Sequence, residues 1–146
     1  VGQTFKTRRL VEFSDTDMAG IAHFSAFFRW MESAEHALLR STGLSVFDIP
    51  AEVDLPDGAS LSFPRVKASC DYRSPARCED ELDVAVTIGR LGAKSVTYKV
   101  RFSLDGKELA EGEVTSVCCV IQHGKPPAST PIPAEVADKL RPFVAS

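Results

Sequence analysis

Two carboxylates, a glycine and a histidine crowd residues 13–32, which read FSDTDMAGIAHFSAFFRWME. Asp15 and Asp17 stand two positions apart, ahead of an apolar stretch, with Gly20, His23 and Phe24 close behind. A carboxylate in such a place can attack an activated carbonyl or act as base for water. It can equally be a turn or helix-capping residue, since Asp and Ser fill both roles in ordinary loops. Asp-x-Asp alone does not choose between these. Other chemistries have less support. No Gly-x-Ser-x-Gly elbow occurs, so no serine triad is indicated. Glu32, Glu35 and His36 do not form His-Glu-x-x-His, and they read as solvated or interface charges. Cys70, Cys78, Cys118 and Cys119 lack zinc spacing and read as reduced, half-buried thiols, Cys118 and Cys119 facing opposite ways if their segment is a strand. No metal or cofactor is expected.

The elements around this segment follow from periodicity. Residues 4–13 have strand character, with Val11 and Phe13 on one face, and residues 14–22 read as a loop. Over residues 24–40, Phe24, Phe27, Phe28, Met31, Ala34 and Leu38 recur at spacings of three and four, which predicts one face of a long helix. Trp30, Ala37 and Leu39 carry apolar character to a second side, and Gly43 sits where a left-handed C-cap belongs. Residues 45–60, with Pro50, Pro56 and Gly58, read as an irregular connection. Strands follow. Val66, Ala68, Cys70 and Tyr72 alternate, as do Leu82 to Ile88 and Val96 to Leu104, and residues 108–121 end in the apolar VCCVI. Asp105 and Gly106 mark a tight hairpin, and residues 91–93 a second turn. A proline-bearing connector leads to a short final helix within residues 134–143. Strand, long helix and about four strands make an α+β chain in which an antiparallel sheet must cover the helix.

The chain has 146 residues, 44% hydrophobic and 25% charged, which suits one globular domain over residues 1–146. Its net charge of −3 argues against nucleic-acid binding through a bulk field. No apolar run approaches the ~18 residues of a membrane span. The first residues, VGQTFK, lack the apolar core of a signal peptide, so a cytoplasmic protein is expected.

Residues 15–24, DTDMAGIAHF, followed by Phe27, Phe28, Arg29 and Trp30, resemble the signature of the 4-hydroxybenzoyl-CoA thioesterase family. The segment YRSPARCEDELDV at residues 72–84 is similar to that family's aromatic-x-x-Pro-Ala stretch. The resemblance implies a hotdog fold, a long central helix wrapped by an antiparallel sheet of about five strands. It implies hydrolysis of an acyl-CoA thioester, with Asp17 as the catalytic carboxylate and the backbone N–H of Phe24 as donor to the carbonyl. The chemistry is economical. A thioester carbonyl is poorly stabilised by resonance, and its thiol leaving group has a pKa of about 8.5. A helix start near His23 and Phe24 would supply free N–H groups and a positive dipole end. Gly20 would give the loop the freedom to present Asp17. His23 could orient water or donate to the acyl group, or be a plain polar residue at a helix start.

The same resemblance carries the substrate contacts. Glu32 matches an acidic position that contacts the acyl ring hydroxyl in the 4-hydroxybenzoyl enzyme, which has Asp there. Lys94 and Ser95 match a nucleotide-binding turn, with Gly92 and Ala93 where that enzyme has arginines. Family members are homodimers or homotetramers with active sites at subunit interfaces. Three other readings stay open: thioester cleavage on acyl carrier protein, a hotdog dehydratase or hydratase, and a non-catalytic acyl-thioester-binding module.

Overall fold

The computed structural model describes residues 2–145. Strand β1 (Phe5–Leu10) leads through a 3-10 turn at Phe13–Asp15 to the long helix α1 (Ala26–Ser41). Then come β2 (Ser60–Ser62), β3 (Arg65–Tyr72), β4 (Glu81–Leu91), β5 (Ser95–Leu104), β6 (Lys107–Val117), β7 (Cys119–Ile121) and β8 (Ala128–Ser129). Helix α2 (Ala134–Leu140) and a final 3-10 turn at Arg141–Phe143 close the chain. A five-stranded antiparallel sheet runs β1-β4-β5-β6-β3, and β2, β7 and β8 form a small second sheet that the sequence pattern does not announce.

The central strands owe their places to strict alternation. Leu82, Val84, Val86 and Ile88 of β4, with Val96, Tyr98, Val100 and Phe102 of β5, point inward and are buried. A period of two puts every second side chain on one face, and that face meets α1. From the helix come Phe27, Trp30, Met31, Ala34 and Leu38, all buried. The Phe27 ring stands edge-on to Trp30, Phe102 and Tyr72, with centroids 4.7, 5.2 and 5.4 Å away. Burial of each large side chain contributes roughly 1.5–3 kcal/mol. Asp105 (φ 49°) and Gly106 (φ 82°) make the β5–β6 hairpin through two left-handed residues, as the Asp-Gly pair predicts.

The helix lies close to the sheet because β6 carries Gly112. A Cβ there would collide with the Met31 Sδ and sit 2.9 Å from the Ser69 carbonyl oxygen. Gly112→Ala is therefore expected to destabilise the protein by about 1–3 kcal/mol, the usual cost of overpacking. Urea unfolding checks this, and an unchanged midpoint would show that Met31 moves aside freely.

Three expectations need correction. The helix begins at Ala26, so Phe24 lies in the preceding turn and is exposed instead of sharing the buried face. Strand β1 stops at Leu10; the chain turns when the Asp15 carboxylate accepts the Glu12 N–H at 2.9 Å, and Phe13 swings into solvent while Val11 stays buried. The alternating residues of β3 are not a core face either. Val66 stands at a bulge without a partner on β6 and is exposed, as is Ala68, while Cys70 packs at the margin of the core and Tyr72, half-exposed, meets only the edge of Phe27. The four cysteines are free thiols, with Cys118 and Cys119 buried and Cys78 exposed. Among the described residues, no helix is long and apolar enough to cross a membrane.

Candidate active site

The two carboxylates of the loop have different surroundings. Asp15 is buried; one oxygen holds the Glu12 N–H and the other faces Arg29 Nη2 at 3.3 Å. Its backbone carbonyl accepts the His23 N–H at 2.7 Å. Asp15 therefore builds the loop. Asp17 stands two positions on at an exposed tip. Its backbone N–H donates to Ile21 O at 2.9 Å and its carbonyl accepts the Gly20 N–H at 3.0 Å. That tight turn needs a left-handed residue, which Gly20 supplies at φ 78°. A Cβ on Gly20 would meet nothing, so the glycine serves backbone conformation and not close packing. The Asp17 Oδ1 accepts the Ala19 N–H at 2.8 Å, which fixes the carboxylate and leaves Oδ2 for other work.

The second sequence motif closes on this turn. Ala22 N–H donates to Ala76 O at 2.7 Å, and Ile21 bridges to Arg77. Between the two segments runs an open groove of about 410 Å³, lined by Asp17, Ile21, Phe24, Phe27, Tyr72 and Arg73 among others. The Tyr72 hydroxyl donates to the Phe24 carbonyl at 2.7 Å. Burial, with a smaller push from the neighbouring Cys70 thiol, raises the Tyr72 pKa to about 12, so the phenol keeps the proton it donates. Thus the Phe24–Ser25 peptide is gripped through its oxygen, and the preceding peptide is held through His23 O, which accepts the Ala26 N–H at 2.9 Å. The N–H of that preceding peptide, the Phe24 N–H, has no acceptor among the described residues. A held peptide with a free donor beside an exposed carboxylate suits a carbonyl substrate whose oxygen gains negative charge.

The remaining candidates lie elsewhere. His23 is outside the groove lining; its Nδ1 accepts the Ser25 N–H at 3.2 Å and sits 2.8 Å from Ser25 Oγ. Both contacts fit Nδ1 as acceptor, which puts the neutral ring's proton on Nε2. Lys94 lies in the β4–β5 turn and Ser95 opens β5; Lys94 O accepts the Cys118 N–H at 2.7 Å and Ser95 O accepts that of Gly92 at 2.8 Å. Within one chain neither residue lines the groove. Glu32 also lies outside it, paired with Arg65 at 3.1 Å.

The expectation of solvated helix charges fails for Glu35, which is only 3% exposed. It pairs with Arg65 at 2.9 Å. Burial, opposed by Arg65 and reinforced by Glu32, raises its pKa to about 7. Burial also lowers that of His36. The helical period that put Met31, Ala34 and Leu38 inward places Glu35 with them, and that signal was available in the sequence. Tyr72 and Arg73 were also missed as groove residues, since Tyr72 reads as one more alternating strand position. Among the described residues, no cluster of three or more His, Cys, Asp or Glu side chains could hold a metal ion.

A profile of the thioesterase-like superfamily matches residues 11–140. The chain belongs to that superfamily. The match is to this broad group and not to the 4-hydroxybenzoyl-CoA enzymes specifically. A 1,4-dihydroxy-2-naphthoyl-CoA hydrolase of Synechocystis sp. is 30% identical over 142 residues, 95% of this chain and 99% of that one. For a hydrolase of the same name from Prochlorococcus marinus, 31% identical over 102 residues, the match spans 69% of this chain and 64% of that protein. The crystal structure of a 1,4-dihydroxy-2-naphthoyl-CoA thioesterase from Synechocystis superimposes with a TM-score of 0.79 at 26% identity, covering 95% of this chain and 96% of the other. A gentisyl-coenzyme A thioesterase structure superimposes at 0.75 with 28% identity, covering 94% and 99%. The fold of this superfamily member is thus the hotdog fold, a five-stranded antiparallel sheet around one long helix with a short C-terminal helix added.

Proposed function

We propose that this protein hydrolyses an acyl-CoA thioester to the free acid and CoA. The observation that carries the reading is the groove shared by the Asp17 carboxylate and the Phe24 N–H, a donor without another partner among the described residues. The names of the relatives support the substrate class, since they are hydrolases or thioesterases of aromatic acyl-CoA.

The reaction uses few groups. The thioester carbonyl oxygen lies against the Phe24 N–H, and Asp17 Oδ2 faces the carbonyl carbon. Asp17 then adds to that carbon, giving a mixed anhydride that water opens, or takes a proton from water as the water adds. Either way the C–S bond breaks and the thiolate leaves, a modest demand for a thiol of pKa about 8.5. The N–H donor stabilises the oxyanion by roughly 3 kcal/mol. Gly20 keeps the turn that presents Asp17, and His23 orders the approach to the helix through Ser25.

A dimer or tetramer completes the site. Met18, Phe24, Val66 and Tyr72 are large apolar residues exposed beside the groove or along the edge strand β3. An exposed edge strand with apolar neighbours favours pairing with a second copy. Lys94 and Ser95 of that copy would then serve the phosphates of CoA, and Glu32 would meet the acyl group. In the groove of one chain, Arg73 is the cation at hand. The test is thiol release from aromatic and aliphatic acyl-CoA thioesters, alongside the same acyl groups on acyl carrier protein. Cleavage of aromatic acyl-CoA is expected. Silence toward every CoA ester, with activity on the carrier protein, would replace CoA by that carrier. Silence toward both would leave a binding module.

A further inference from the structure

Helix α1 starts without a side-chain cap. Ser25, the residue before it, already has helical dihedrals (φ −71°, ψ −20°), and its hydroxyl bonds no N–H of the first turn. That hydroxyl sits 2.8 Å from His23 Nδ1. Nothing in Ser25 itself therefore stops the helix from running further back. In a regular α-helix the Phe24 carbonyl would accept the Phe28 N–H, four residues on. Here it does not. The Phe28 N–H turns to Ser25 O at 3.2 Å, and the Phe24 carbonyl accepts the Tyr72 hydroxyl at 2.7 Å. By length the phenol makes the better bond, since 2.7 Å is usual for O–H···O and 3.2 Å is the long limit for N–H···O.

Tyr72 is held for this contact from its own side. It closes the pairing of β3 with β6, opposite Ala110, and its ring stands edge-on to Phe27 at 5.4 Å. The chain just beyond it is pinned too, because the N–H groups of Arg73 and Ser74 both donate to Leu109 O, at 2.8 and 3.1 Å. The Phe24 N–H belongs to the peptide before the one that Tyr72 holds. The two peptides meet at the Phe24 Cα and share one turn, in which His23 O accepts the Ala26 N–H. Rolling the Phe24 carbonyl into the helix would carry that turn with it, and the Phe24 N–H would leave its direction in the groove.

We propose that Tyr72 is a positioning residue, whose hydroxyl keeps the Phe24 carbonyl out of helix α1 and so sets both where the helix begins and where the Phe24 N–H points. The inference rests on the thioesterase reading, in which that N–H receives the oxyanion. Tyr72 acts through Phe24 and not on the reacting atoms. The start of the helix is thus decided by a strand residue and not by a cap of its own.

Tyr72→Phe tests this on the full chain, because it deletes the hydroxyl and leaves the ring against Phe27. For acyl-CoA hydrolysis kcat should fall at least about tenfold with KM unchanged, since a ~1 Å misplacement near a reacting centre can cost about 100-fold. In protein labelled with 15N-phenylalanine, the Phe24 and Phe28 amide resonances should move while those of Phe5 and Phe143 stay. The Phe28 amide, given the Phe24 carbonyl, should exchange its hydrogen more slowly than in wild type. A second variant, Tyr72→3,5-difluorotyrosine, keeps the hydroxyl and makes it more acidic. Its kcat should match wild type at neutral pH and drop as pH rises, because a phenolate cannot donate. Wild type should show no such drop there, its phenol being raised to about 12 by burial. The proposal falls if Tyr72→Phe keeps the wild-type kcat, or if the Phe24 and Phe28 amides do not respond. A loss in KM alone also overturns it, by placing Tyr72 on the substrate. If wild type cleaves no thioester, the hydrolase reading fails and takes the rate claim with it. The amide measurements need no substrate and still decide whether Tyr72 sets the helix start.

Discussion

Asp17→Asn should lower kcat/KM for acyl-CoA hydrolysis by at least about 100-fold, the low end of what a positioned base or nucleophile contributes. The substitution is nearly isosteric. Its amide oxygen can still accept the Ala19 N–H that Oδ1 now accepts at 2.8 Å, so the turn keeps its shape. What is lost is the negative charge and the basic oxygen. The loss should fall on kcat more than on KM, because Asp17 is asked to act on the reacting carbon and not to hold CoA. Thermal stability should be unchanged, since the side chain is exposed and makes no ion pair among the described residues. Steady-state thiol release by both proteins decides it. Full activity in the Asp17→Asn variant would remove the carboxylate from the mechanism. An inactive variant with a lowered melting point would mean that the loop, not the chemistry, had been damaged.

Arg65→Met should destabilise the fold by about 3 kcal/mol at pH 8, near the low end for breaking a buried pair, because Arg65 is itself partly exposed. It leaves the Glu35 carboxylate buried without its cation. The effect should depend on pH. Glu35 already holds its proton up to about pH 7 in the folded protein, against 4.5 for an ordinary glutamate. The folded state thus binds the proton more tightly than the unfolded chain. Stability from this group is therefore greatest below pH 4.5 and falls as pH rises toward 7. Arg65 counteracts the shift, so its removal extends that fall to higher pH, and near pH 5 the variant should approach wild type. His36 has the opposite sense: burial, aided by the Arg65 charge, lowers its pKa and costs stability as pH drops below 6.5, so removing Arg65 eases that cost and brings the variant still nearer wild type at pH 5. Glu35→Leu combined with Arg65→Met should recover most of the loss. Urea unfolding at pH 5 and pH 8 is the measurement. Equal losses at both pH values, with no recovery in the double variant, would mean that Arg65 acts through packing.

How much of this was legible beforehand depends on the range of the interactions. The helix could be read because Phe27, Met31, Ala34 and Leu38 repeat within a few turns, and β4 and β5 because their alternation is unbroken. The start of the helix could not. Phe24 fits the apolar spacing, but the chain between Asp15 and His23 is held by backbone bonds that no side-chain pattern encodes. Strand β3 alternates like a core strand and lies at an edge, because burial depends on what stacks beside it and not on its own sequence. The turn that presents Asp17 follows from its Asp and Gly residues. The grip of Tyr72 on the Phe24–Ser25 peptide joins residues 48 positions apart, beyond any local signal.

The strand order also sets a schedule. Helix α1 leaves the ribosome early, yet the strands that cover its apolar face include β5 and β6, whose last residue is Val117. At about 5–20 residues per second, the roughly 80 residues between them take on the order of 4–16 seconds to synthesise. For that interval Trp30, Met31 and Leu38 have no sheet to pack on. The nascent chain carries a sticky apolar stripe until β4, β5 and β6, joined by short turns, can zip together and close over it. Yield in a cell will therefore respond to chaperone supply and translation rate even where the finished fold is unchanged.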